Sequence, residues 1–313
     1  MRSPLRLLAI LPVLAALGAT LSACGPSSAA APQPTAYAAT GRPQLPTAHG
    51  PADTIIYSPF TQRLVRFDQA AKVPEPPSAH PNWFQYEFPT PSELYTSGSS
   101  TDNGFSIIRV NEEGTTTVAT MAEDEGVFPL ATDGTRHFFL VSRYDEGGRE
   151  LSRRLAALGA DGLVPYAQVT GLVDSGAVLA DRLYFTVFDE AAQAYSLHSV
   201  SVRDPSSAAR PEKSGLRGGK VLAYGGRLWT SDGTRISDGT ASLPCTDLCY
   251  FVGDRFLTLH VGASNGLALD VHDPATTTLV ETIDNAVAFR PEGKGLRVFG
   301  EGFIKDVALG SAS

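Results

Sequence analysis

Short apolar strands joined by Asp, Gly and Pro turns recur along this 313-residue chain at intervals of about 35–48 residues. Two themes alternate. In the first, an apolar strand meets an Asp or Gly turn and an aromatic-rich strand follows. It occupies 128–140 around Asp133-Gly134, 177–185 around Asp181-Arg182, 221–229 around Gly225-Gly226 and 250–259 around Gly253-Asp254, with a looser copy at 287–299 around Gly293-Lys294. In the second, an alternating strand runs through a polar turn into a short strand. It is clearest at 105–118 and 267–280 and weaker at 63–68 and 154–166, and its turns fall near 68, 111, 160, 203, 238, 272 and 306.

Apolar residues alternating with polar ones between Asp-Gly, Gly-Gly and Asp-Pro pairs are the mark of strands and hairpins. No stretch sustains an apolar stripe at helical spacing; the run Leu155-Ala156-Ala157-Leu158 comes nearest, and Gly159 ends it. Two hairpins per repeat make a four-stranded unit, the blade of a β-propeller. An all-β propeller over 53–313 is therefore expected. Seven turns imply seven four-stranded blades, with six the competing count, and a sandwich, a barrel or two smaller β domains the competing architectures. The domain resembles bacterial propellers of the WD40-like or TolB-like kind in architecture, without the Trp-Asp pair at blade ends. Ring closure is expected from 303–309 pairing with an N-terminal strand, which would remove open sheet edges.

The N-terminus has a different character. Arg2 and Arg6 precede an apolar stretch from Leu7 to Ala19, and Leu21-Ser22-Ala23-Cys24-Gly25 follows. Charge, apolar core and small-residue site in that order form an export signal. The core is short for a membrane span and contains Pro12 and Gly18. Leu21-Ser22-Ala23-Cys24 resembles the lipobox of bacterial lipoproteins. That resemblance implies cleavage after residue 23, a diacylglycerol thioether on Cys24, and a mature protein lipid-anchored on the extracytoplasmic face of the cell membrane. Residues 24–52, rich in Ala, Pro and Ser, have too little apolar surface to order themselves and are expected to be a disordered tether. A flexible chain of about 25 residues spans on the order of 25–30 Å. The alternative is an ordered strand near 35–40.

The leader carries Arg2 and Arg6 and no acid, so its removal takes the formal charge from −8 to −10. Such a surface repels phosphate backbones, and nucleic acid is not an expected partner. Of the three cysteines, the lipobox assigns Cys24 to lipid, which leaves Cys245 and Cys249 as a candidate disulfide in an oxidising compartment, with free thiols the alternative.

Chemical motifs are sparse. The Asp-Gly pairs at 133–134, 161–162, 232–233 and 238–239 lack the alternating oxygen ligands of a calcium loop and read as hairpin turns. The six histidines, at 49, 80, 137, 198, 260 and 272, are scattered. A two-residue turn at Asn265-Gly266 would set His260 and His272 on opposite faces of their hairpin, against a metal pair. Glu123-Asp124-Glu125 reads as a solvated loop, and Trp83, Phe84, Tyr86, Tyr95 and Trp229 as core rather than the floor of a cleft. No nucleophile elbow, P-loop or dinucleotide fingerprint occurs. No catalytic residue, metal or cofactor is thus assigned. The expected function is a binding or scaffold module for a protein, peptide or cell-wall ligand. The alternative is a cell-envelope hydrolase or lyase with its site in the propeller channel. A solute-capturing transporter lipoprotein would need helices that the pattern lacks.

Overall fold

The computed structural model describes residues 53–58, 63–74, 87–89, 93–100, 104–111, 114–159, 162–246, 248–262, 266–292 and 295–308. The expected leader, Cys24 and the tether lie outside them.

Among the described residues, twenty-six strands form seven antiparallel sheets, each built from consecutive strands. Sheet 1 contains β1 (Asp53–Ser58), β2 (Arg63–Asp68) and β3 (Val73–Pro74). Sheet 2 contains β4 (Glu87–Pro89), β5 (Glu93–Ser100), β6 (Gly104–Asn111) and β7 (Gly114–Thr120). Sheet 3 contains β8 (Glu125–Thr132), β9 (His137–Tyr144), β10 (Glu150–Gly159) and β11 (Gly162–Gln168). Sheet 4 contains β12 (Leu172–Leu179), β13 (Arg182–Asp189), β14 (Ala194–Ser201) and β15 (Arg210–Leu216). Sheet 5 contains β16 (Val221–Tyr224), β17 (Arg227–Ser231), β18 (Arg235–Ser237) and β19 (Ser242–Pro244). Sheet 6 contains β20 (Cys249–Val252), β21 (Arg255–Val261), β22 (Leu267–Asp273) and β23 (Thr278–Asp284). Sheet 7 contains β24 (Ala286–Glu292), β25 (Gly295–Gly300) and β26 (Phe303–Ala308).

Each sheet touches the next in chain order, and β1 lies against β24 of sheet 7 while also reaching β6 and β7 of sheet 2. The ring closes, and the fold is a seven-sheet β-propeller. Five sheets have four strands and two have three among the described residues.

Burial explains why the ring holds. Six apolar clusters are present among the described residues, and each is shared by two neighbouring sheets. Phe138 and Leu155 of sheet 3 meet Leu183 and Phe185 of sheet 4. Phe139 and Val141 meet Tyr95 and Ile107 of sheet 2. Leu197 and Val221 join sheets 4 and 5, and Trp229, Ile236 and Phe256 join sheets 5 and 6. Leu269 and Phe289 join sheets 6 and 7, and Phe67 and Phe299 join sheets 1 and 7. The consecutive Phe138 and Phe139 point into opposite seams, as strand geometry requires. A propeller sheet is covered on both faces, so β9 buries six residues in a row, where a half-exposed sheet would alternate.

The first sequence theme marks the hairpin between the first two strands of sheets 3 to 7. The second marks the turn before the last strand in sheets 2 to 6. In sheet 7 the turn is at Glu301-Gly302 rather than near 306, and residue 306 lies within β26, which covers most of the strand expected over 303–309. Asp306 accepts from Arg297 across the β25–β26 pair (2.7 Å), so a turn-forming residue type is held in a strand by its cross-strand partner. Among the described pairings β26 bonds β25 alone; any N-terminal strand that would flank it falls outside the described residues.

Turn chemistry is uniform. Asp133 Oδ1 accepts the backbone N–H groups of Thr135 and Arg136, Asp232 Oδ1 those of Thr234 and Arg235, and Asp238 Oδ1 those of Thr240 and Ala241, all within 3.0 Å. The glycine after each has φ of 85°, 97° and 92° respectively, a region other residues enter at a cost. These three Asp-Gly pairs are thus hairpin turns that use one carboxylate oxygen on their own backbone, while Asp161 of the fourth pair, 161–162, lies outside the described residues.

Candidate functional site

The first strands of the sheets line the centre of the ring. At one end of it, the connections that lead into sheets 5 and 6 bring together residues from three sheets. Asp174 lies in β12 where its pairing with β13 slips between Val173 and Gly176, and Tyr195 is the second residue of β14. Gly218-Gly219-Lys220 immediately precedes β16, and Tyr250 is the second residue of β20.

The two glycines are dictated by contact. A Cβ on Gly219 would stand 1.9 Å from Asp174 Oδ2 and 2.6 Å from Tyr195 Cε1, and one on Gly218 would stand 2.5 Å from both Gly233 N and Ser231 Oγ. Hydroxyls fasten this passage. Thr186 Oγ1 donates to the Gly219 carbonyl, and Ser175 Oγ both donates to Val221 O and accepts from Val221 N at 3.2 Å. Above it, the Lys220 ammonium lies 5.3 Å from the centre of the Tyr250 ring, a cation–π distance. Burial, and then the charge of Asp174, push the Tyr195 phenol above its usual pKa. The connection therefore gathers a carboxylate, a phenol, an ammonium and an aromatic ring on a backbone fastened by hydroxyls. Such a set can hydrogen-bond and stack a polar ligand.

Cys245 and Cys249 are bonded to each other, with Cα atoms 5.6 Å apart, and both are buried. The bond ties the end of sheet 5 to the first residue of sheet 6, beside the same mouth. Tyr95 and Trp229 are core residues, 8% and 3% exposed; Trp83, Phe84 and Tyr86 lie outside the described residues. Two of the acidic triplet are ion-paired: Asp124 with Arg143 at 2.6 Å and Glu125 with Arg154 at 2.8 Å.

The histidines stay apart. His49 and His80 lie outside the described residues. His137 is buried against the Tyr95 ring at 3.9 Å with Thr132 Oγ1 3.1 Å from its Nδ1. His198 stacks on Phe185, contacts Ser196 Oγ at 2.9 Å and is lowered in pKa by burial. The β21–β22 hairpin has a longer loop than Asn265-Gly266 alone suggested: Val261 faces Leu267 and His260 faces Ala268. His260 on β21 and His272 on β22 therefore share a face, contrary to expectation, but lie at opposite ends of the strand pair. His260 meets Asp270 at 3.5 Å, and His272 lies across from Phe256. Among the described residues no group of three or more His, Cys, Asp or Glu side chains is placed to hold a metal ion.

Sequence reading missed Asp174, Tyr195, Lys220 and Tyr250. The one local signal was the Gly218-Gly219 pair just ahead of a strand.

No protein-family model and no curated protein matches the chain. Among solved structures it is similar to a Mycobacterium tuberculosis puromycin-hydrolyzing peptidase (14% identity, TM-score 0.43), over 80% of this chain and 49% of that one. It thus spans about half the length of that peptidase. It is also similar to the β-propeller domain of the Trilobed protease from Pyrococcus furiosus (8% identity, TM-score 0.44, 72% and 97% of the two chains). A third is the SapL1 lectin in complex with alpha methyl fucoside (10% identity, TM-score 0.45, 75% and 98%). At such identities and TM-scores these likenesses carry no inference about activity.

Proposed function

We propose that the protein is a lipoprotein anchored through Cys24 on the extracytoplasmic side of the cell membrane, whose propeller binds a protein, peptide or cell-wall ligand at the mouth formed by sheets 4, 5 and 6. The observation that carries the binding role is the convergence of Asp174, Tyr195, Lys220 and Tyr250 on a passage where only glycine fits. The Cys245–Cys249 bond supports the compartment, since such bonds persist where the medium is oxidising.

Anchoring is tested by expressing wild type and Cys24→Ala in a bacterium with lipoprotein processing, under labelled fatty acid. Wild type is expected in the membrane fraction carrying label and starting at residue 24, and the variant unlabelled and unprocessed at that site. An unlabelled wild type with its leader intact in the cytosol would end the anchoring proposal. For binding, the purified domain is incubated with isolated cell walls and membranes. Lys220→Ala is expected to lower retention at least tenfold while the melting temperature changes little. Equal retention of wild type and variant would remove the mouth from the account.

A further inference from the structure

The seam between sheets 5 and 6 differs at its two ends. At the mouth end the Cys245–Cys249 bond and the buried Trp229 ring close it. At the other end lie the Gly253-Asp254 turn, Tyr224 and His272. His272 is 6% exposed and faces Phe256 on β21 and Leu279 on β23, where a bulge between Val271 and His272 interrupts the pairing. Neither of its ring nitrogens has a hydrogen-bond partner among the described residues, and the same holds for Trp229 Nε1 in the same seam. Buried polar atoms are nearly always paired, and leaving one unmade costs about 1–3 kcal/mol, more for a charged group.

We propose that this seam is an acid-responsive joint, closed while His272 is neutral and opening at the 253–255 end when its imidazole takes up a proton. A neutral imidazole can lie against Phe256 at the cost of its unmade hydrogen bonds. An imidazolium there has two N–H groups to satisfy and a charge to solvate, in a seam whose ring neighbours offer neither.

The charged groups around it do not supply a ready acceptor. Asp270, two residues earlier on β22, accepts from Thr282 (2.5 Å) and lies 3.5 Å from His260. Asp273, the next residue, accepts the backbone N–H groups of Ala275 and Thr276. From the β20–β21 turn, Asp254 lies 3.7 Å from Arg255, whose positive charge opposes a second one nearby. From sheet 5, the Tyr224 phenol is raised in pKa by burial and then by Asp254 and Asp273, and Arg227 is paired with Asp238. On β23, Glu281 pairs with Val271, so it belongs to the other face, and it is bonded to Lys305. Burial lowers the His272 pKa against a smaller opposing effect of Asp270.

The sign follows. The folded seam holds its proton less tightly than an open chain, whose histidine titrates near 6.5, so closure is favoured fully above that pH and weakens as pH falls below it. At pH 5.5 a free histidine is about nine-tenths protonated, so the open population rises up to about tenfold over its value at pH 7.5. Carboxylates contribute little in that window because they titrate lower.

Amide hydrogen exchange of the whole protein between pH 7.5 and 5.5, corrected for intrinsic exchange, tests this. Exchange in β21–β23 is expected to accelerate up to tenfold in wild type and to stay level in His272→Leu, or in His272→Gln should the leucine variant fail to fold. Equal acceleration in wild type and variant, or none in wild type, overturns the proposal. So does an imidazole pKa for His272 at or above 6.5 by NMR titration.

Discussion

Gly218→Ala is expected to destabilise the domain by about 3 kcal/mol, at the upper end of ordinary overpacking, and to lower expression of folded protein. The added methyl would sit 2.5 Å from Gly233 N and Ser231 Oγ and 2.8 Å from Ser231 Cβ. The obstacle includes backbone on the far side of the β17–β18 turn, which no side-chain rotation clears, so sheet 5 must shift against its own connection. Gly147→Ala is the control. There φ is not positive, and the nearest atom is Asp145 Oδ1 at 3.3 Å, in an exposed turn. Thermal melts of the two variants should separate by on the order of 10 °C, given about 2–4 °C per kcal/mol for a domain of this size. Coincident melts would mean that the passage yields.

Phe185→Ala should be at least as severe, costing about 3–5 kcal/mol. The ring is fully buried in the seam between sheets 3 and 4, among Leu183, Phe138 and Val200, and stacks on His198 with centroids 5.6 Å apart. Its removal leaves a hole between two sheets whose backbones are each fixed by hydrogen bonds and cannot close over it. Val261, 65% exposed at the tip of its hairpin, marks the other extreme, and its replacement by alanine should be close to neutral. Chemical denaturation measures both. A cost below about 1 kcal/mol for Phe185→Ala would show that the seam collapses readily around the gap.

Turn chemistry made most of the ring legible in advance. Asp133-Gly134, Asp181-Arg182, Gly225-Gly226 and Gly253-Asp254 each sit at or beside the first hairpin of a sheet, because left-handed glycines and carboxylate-capped turns are properties of a few adjacent residues. Cross-strand effects were not legible. The sequence pattern places residue 306 both at a turn and inside the strand expected over 303–309, and the structure gives the strand, with Arg297 opposite Asp306. The loop after Val261 is set by pairing across β21 and β22, which the Asn265-Gly266 dipeptide does not reveal. The mouth was invisible for a similar reason. Asp174, Tyr195, Lys220 and Tyr250 are separated by 20 residues or more and meet only because successive sheets return to the same axis. No spacing rule within one segment could have linked them.

Asp133, Asp232, Asp238 and Asp273 each spend one oxygen on two backbone N–H groups, and those bonds, working against whatever burial each suffers, hold all four below the usual carboxylate pKa. These four carboxylates should therefore stay charged, and keep their turns latched, after ordinary surface carboxylates have protonated as the pH falls. Acid would thus loosen the hairpins last at the very residues that define where the chain turns, so the ring should keep its sheet boundaries longer than its surface charge.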